Sequence, residues 1–95
     1  MEKVYLVIRE KGIHTDGFSY YESEEMILGA RGTQEEASAF LKKAGKHFHP
    51  EEDPIRGTYD FDTKNEVSLI YKIDEALEDT FIVKCMTIGK DGDLI

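Results

Sequence analysis

The chain has no tryptophan, one cysteine and two prolines among its 95 residues, and its longest apolar run is five residues, Val4 to Ile8. Each scarcity excludes something. A lone cysteine, Cys85, provides no disulfide framework, so packing must hold the fold. Its place inside the apolar segment TFIVKCMTI points to a small buried hydrophobe. A nucleophilic thiol would need exposure and a lowered pKa, which apolar neighbours oppose. No run approaches the length of a membrane span. Val4–Ile8 is too short for the apolar core of a secretory signal and is followed at once by charge. Together with the single cysteine, this points to the cytoplasm. Bases are scarce as well, with 12 Lys and Arg against 20 Asp and Glu, for a net charge of −8. The deficit is uneven. Residues 1–47 carry 8 acids and 7 bases, whereas residues 48–95 carry 12 acids and 5 bases. An acidic surface repels phosphate backbones and disfavours direct nucleic-acid binding. It suits a partner protein with a basic surface, and it also keeps a small protein soluble.

What is present is one clear helix and a set of strands, enough for a single domain with a modest core. Residues 33–45 begin with Thr33 as N-cap and Glu36 three residues later, a capping box, with Glu35 and Glu36 at the favourable end of the helix dipole. Ala37, Phe40, Leu41 and Ala44 recur at helical spacing and form one apolar stripe, with Gln34, Ser38, Lys42 and Lys43 off it. Gly45 reads as the C′ residue, leaving residues 46–57 as a loop with two prolines and an acidic run. Before the helix, residues 3–10 read as a strand buried on both faces. Residues 11–17 read as a loop, and residues 18–22 and 26–31 as either one bent strand or a hairpin. Gly29 marks a bulge or a close approach. After the helix, residues 58–62 carry an edge-strand pattern, residues 63–65 read as a turn, residues 66–73 alternate as a half-buried strand, residues 74–79 read as a turn or a single helical turn, and residues 80–88 read as the last strand. Strands, one helix, then strands predict an α+β domain: an antiparallel sheet of four to five strands with one amphipathic helix packed on one face.

Motifs that carry chemistry are sparse. His47, His49, Glu51, Glu52 and Asp53 form the densest set of metal-ligand types, and two histidines two apart on an extended loop would point the same way, with a carboxylate such as Glu51 to complete the set. The HExxH spacing and a cysteine pair are both missing. His14 and Asp16 sit between glycines and offer an acid–base pair, but no nucleophile stands at a matching spacing. No glycine fingerprint for a phosphate is present, so no cofactor is expected and the chain reads as a non-enzyme. A small enzyme or metal domain built on the His14/Asp16 and His47/His49 loops is the alternative, and a structural or homo-oligomeric role is a third.

The features that favour protein binding are aromatic residues at strand edges amid carboxylates. Tyr20, Tyr21, Tyr59 and Phe61 are anchor types common at interfaces. Around them lie Glu22, Glu24 and Glu25, then Glu51, Glu52 and Asp53, then Asp60 and Asp62, then Asp74, Glu75, Glu78 and Asp79. These clusters would form a ring of negative charge, with Asp60 and Asp62 on one face if their strand is extended. Val4–Val7, Ile27–Ala30, Thr33, Glu35, Glu36, Ala37 and Phe40 give the chain a pattern that resembles small accessory proteins of bacteria and their phages. In that type a VYLV strand leads to an apolar strand and a Thr/Ser-x-E-E-A helix start, and a later strand pair closes the sheet. The long 46–57 segment and the strong acidity depart from it. The resemblance implies a host-interaction role, such as an inhibitor of a host nucleic-acid-binding or defence protein.

Overall fold

The computed structural model describes residues 2–14, 21–73 and 77–89. It contains β1 (Glu2–His14), β2 (Tyr21–Arg31), α1 (Gln34–Phe48), β3 (Arg56–Asp60), β4 (Asn65–Lys72) and β5 (Leu77–Ile88). The strands form one antiparallel sheet in the order β2-β1-β5-β4-β3, with α1 packed on one face. This is the α+β architecture that the pattern of strands and helix predicts. β1–β2, β3–β4 and β4–β5 pair as sequence neighbours, and the long β1–β5 ladder, from Glu2↔Ile88 to Ile13↔Leu77, joins the two halves.

β1 does not stop at residue 10. It runs through Gly12 to His14 because Lys11 through His14 pair with β2, so the expected loop at 11–17 is strand as far as His14. β2 is a single strand from Tyr21 to Arg31, which decides against a hairpin within the described part of that segment. Its pairing with β1 slips between Val7 and Ile8, leaving Leu28 as the extra residue of a bulge. A Cβ at the adjacent Gly29 would lie 3.2 Å from the Phe40 ring, so this glycine marks both the bulge and the close approach. β1 is interior to the sheet, yet α1 covers only one of its faces. Tyr5 and Val7 turn to the helix, while alternation places Leu6 and Ile8 on the other face, which no described helix covers. Ile8 is still buried there.

Helix α1 starts as expected. The Thr33 hydroxyl oxygen accepts from the Glu36 amide at 3.1 Å, but the Glu36 carboxylate takes the Thr33 hydroxyl at 3.0 Å instead of a backbone N–H. Ala37, Leu41 and Ala44 join Val7, Leu69, Tyr71 and Phe81 in the core, and Phe40 packs beside it. Ser38 is also buried, contrary to its expected place off the stripe, because the covered arc widens toward Gly45. Gly45 is not the C′ residue. It lies inside the helix, which continues to Phe48 and is capped by His49, whose amide donates to the Gly45 carbonyl at 2.8 Å. The glycine serves packing: a Cβ there would stand 2.5 Å from the Tyr71 hydroxyl and 3.1 Å from its ring. Gly45→Ala would gain about 1 kcal/mol of helix propensity. Overpacking against a ring held on several sides costs about 1–3 kcal/mol. The expected net result is a lower urea midpoint, with Gly45→Ala/Tyr71→Phe recovering part of the loss.

The last strand begins at Leu77, so Leu77, Glu78 and Asp79 belong to β5 and not to a turn. Cys85 shares the alternation of Phe81 and Val83 but is exposed, because it lies beyond the part of β5 that the core covers. No helix among the described residues is long and apolar enough to cross a membrane.

Candidate functional site

Two places concentrate polar side chains, and they differ in kind. The first lies under the end of α1. Asp79 is wholly buried. Its carboxylate accepts from Arg9 Nε at 3.0 Å and Nη2 at 2.8 Å, and sits 2.7 Å from His49 Nε2. The His49 ring stacks on Tyr71 with centroids 4.4 Å apart and planes 8° from parallel. The Arg9 guanidinium lies 3.9 Å above the centre of the Phe48 ring, and Phe81 packs edge-on to Tyr71. Burial pushes the Tyr71 phenol above its ordinary pKa, with Asp53, Glu66 and Asp79 adding to the rise. His49 Nδ1 is 3.8 Å from the exposed Glu52 carboxylate, so both ring nitrogens are turned to carboxylates. An imidazole bracketed in this way is a tether, not a base aimed at a nucleophile. Every buried side-chain nitrogen and oxygen among the described residues has a partner. The cluster therefore clasps the helix C-terminus to β1, β4 and β5.

This geometry undoes the proposed pairing of His47 and His49. The segment is helical through Phe48, so the two are not on one extended face. His47 is exposed and edge-on to Phe48, while His49 is buried on Asp79. Among the described residues, no three His, Cys, Asp or Glu side chains lie together as a metal site, Glu51 included. His14 ends β1 opposite Tyr21, and Asp16 lies outside the described residues.

The second place is the tip of the β3–β4 hairpin. Phe61 is 82% exposed and Tyr59 43% exposed, and their rings meet edge to face with centroids 5.0 Å apart. Asp60 ends β3, and its carboxylate accepts from the Asp62 amide at 3.0 Å and lies 3.4 Å from Gln34 Nε2. The Thr63 side chain, then the Asp62 amide, hold the Asp60 carboxyl below its ordinary pKa. Asp62 is thus in the turn and does not share a strand face with Asp60, since β3 ends at Asp60 and the aspartate-capped turn starts two residues earlier than expected. Lys64, at φ 59°, closes it. A register slip between Thr58 and Tyr59 leaves Val67 as a bulge on β4 and re-aims Tyr59 at the sheet's margin. Beside the pair, Thr58, Glu66 and Ser68 help to line a shallow depression of about 270 Å³.

The expected ring of carboxylates is divided. Glu24 and Glu25 are exposed on β2 opposite Lys11 and Glu10, with Tyr21 and Glu22 on the same strand, and Tyr20 lies outside the described residues. Tyr59, Asp60 and Asp62 belong to β3 and its turn, at the opposite edge of the sheet. Glu51, Glu52 and Asp53 are exposed in the connection between α1 and β3. Asp79, expected with Asp74, Glu75 and Glu78 as an exposed acid of that ring, is instead wholly buried on Arg9 and His49, while Asp74 and Glu75 lie outside the described residues. The alternation of Asp79 with Phe81 and Val83 was the available signal, as was that of Arg9 with Val7. Comparison of the chain with family models, with curated proteins and with solved structures finds no significant match in any of the three.

Proposed function

We propose that the protein is a small acidic protein-binding module, and that the β3 tip is its contact surface for a basic partner. The observation that carries this reading is the Tyr59–Phe61 pair, exposed among carboxylates at the end of an edge strand and in the turn after it. Burying Phe61 on a partner removes from water an apolar ring that the fold leaves out, and aromatic anchors of this kind dominate interface energetics. Asp60 and Asp62 beside it favour approach to Lys and Arg and disfavour nucleic acid. A cytoplasmic inhibitor of a host nucleic-acid-binding or defence protein fits this chemistry, because such a target carries a basic groove that an acidic tip can occupy.

The test is affinity capture from the native host with wild type and two exposed-tip variants. Phe61→Ala and Asp62→Lys leave the core untouched and are expected to reduce capture of a specific partner at least about tenfold, a loss typical of an interface anchor. A partner retained equally by both variants, or no partner at all, would overturn the reading.

A further inference from the structure

A second surface has the opposite character. Between α1 and β2 runs an open groove of about 400 Å³. Leu28, Phe40, Ala44 and Phe48 provide its apolar part, and Arg31, Lys43 and His47 its polar part. Phe40, Ala44 and Phe48 stand four residues apart and so follow one helix face for about 12 Å. Lys43 and His47 form the next row, one turn apart. Arg31 leans in from β2, its guanidinium 4.3 Å from the centre of the Phe40 ring. In a chain of net charge −8, this groove is lined by basic and apolar residues and by no carboxylate among the described ones. Its volume is in the range of ligand sites, but its open form suits a protruding chain segment rather than an enclosed small molecule.

The molecule itself carries a segment of the required chemistry. Residues 59–62, Tyr-Asp-Phe-Asp, alternate aromatic rings with carboxylates and project at the β3 tip. The tip cannot fill its own groove. β2 and β3 are the two outer strands, four strand spacings or about 19 Å apart, with α1 between. We propose that copies of the chain associate head to tail, the β3 tip of one copy seated in the α1–β2 groove of the next. Phe61 packs on the Phe40–Phe48 floor, and the Asp62 carboxylate meets Lys43 and Arg31. The contact is heterologous, so it builds open chains unless the rotation happens to close. It also covers the surface assigned above to the partner, so assembly and partner capture compete. The proposal rests on the reading of the tip as a binding surface and names a second copy as one of its occupants.

Sedimentation velocity on the full chain, from about 10 μM to about 1 mM, a range that brackets weak association, tests it. Wild type is expected to grow in mean mass with concentration. Lys43→Glu disables the groove and Phe61→Glu disables the tip, both at exposed or partly exposed positions, and circular dichroism checks that each folds. Each variant alone is expected to weaken association at least tenfold. Their equimolar mixture is expected to stop at a dimer, because only the Lys43→Glu tip and the Phe61→Glu groove remain intact. A wild type that stays monomeric throughout overturns the proposal, as does association that survives either variant. A monomeric wild type whose Phe61→Ala variant still loses its captured partner overturns head-to-tail assembly alone and leaves the tip reading standing.

Discussion

Asp79→Ala is expected to lower unfolding free energy by about 3–5 kcal/mol, the usual cost of breaking a buried ion pair. The effect comes from what remains. Arg9, only 18% exposed, would lose its bidentate acceptor, and His49 would lose the carboxylate on Nε2. The intact cluster need not stabilise the fold relative to an apolar one of equal volume, since desolvating the charges offsets much of their attraction. Hence Arg9→Met combined with Asp79→Leu is expected to cost much less than the sum of the two single changes. Urea unfolding of the four proteins of this cycle measures the coupling directly. Additive losses would show that the contacts around Arg9 and Asp79 are independent and would sink this account.

Phe81→Ala is expected to cost a similar 3–5 kcal/mol by removing a fully buried ring and leaving a cavity. Phe81 is the common neighbour in the core under α1. Its centroid lies 5.7 Å from Tyr71, 6.0 Å from Phe48 and 6.1 Å from His49. None of these can collapse into the void without leaving another partner, so the site relaxes poorly. Phe81→Leu keeps most of the volume and is expected to lose about half as much, within the span seen for large-to-small core changes. Thermal unfolding of both variants, read at equal concentration, checks the ratio. Equal losses for Leu and Ala would mean that ring packing, not volume, carries the term.

The parts of the fold legible in the sequence are those fixed by short-range pattern. Thr33, Glu36 and the stripe from Ala37 to Ala44 set the helix start and its buried face, and the strand alternation after Thr58 set the sheet type. Helix termination was not legible. Gly45 has the residue type of a C-terminal cap, but its role is to admit the Tyr71 ring, a contact 26 positions away. The clasp was hidden for the same reason. Arg9 and Asp79 meet only because β1 pairs with β5, and nothing local in either segment announces that ladder. Of the candidate surface, Tyr59, Phe61 and the surrounding acids were visible as residue types. Their division between two edges depends on strand order, which alternation alone does not determine.

The β1–β5 ladder also sets a timetable for synthesis. Leu77 through Ile88 are translated roughly 70 residues after the strand they join, a delay of about 4–15 s at ordinary elongation rates. During that interval β1 has only β2 along its edges, and the apolar residues of both its faces await their neighbours. Native tertiary structure therefore cannot form while the chain is still short of β5. The nascent protein spends those seconds with an open strand edge exposed, the state in which chaperones or a second nascent copy have their best access to it.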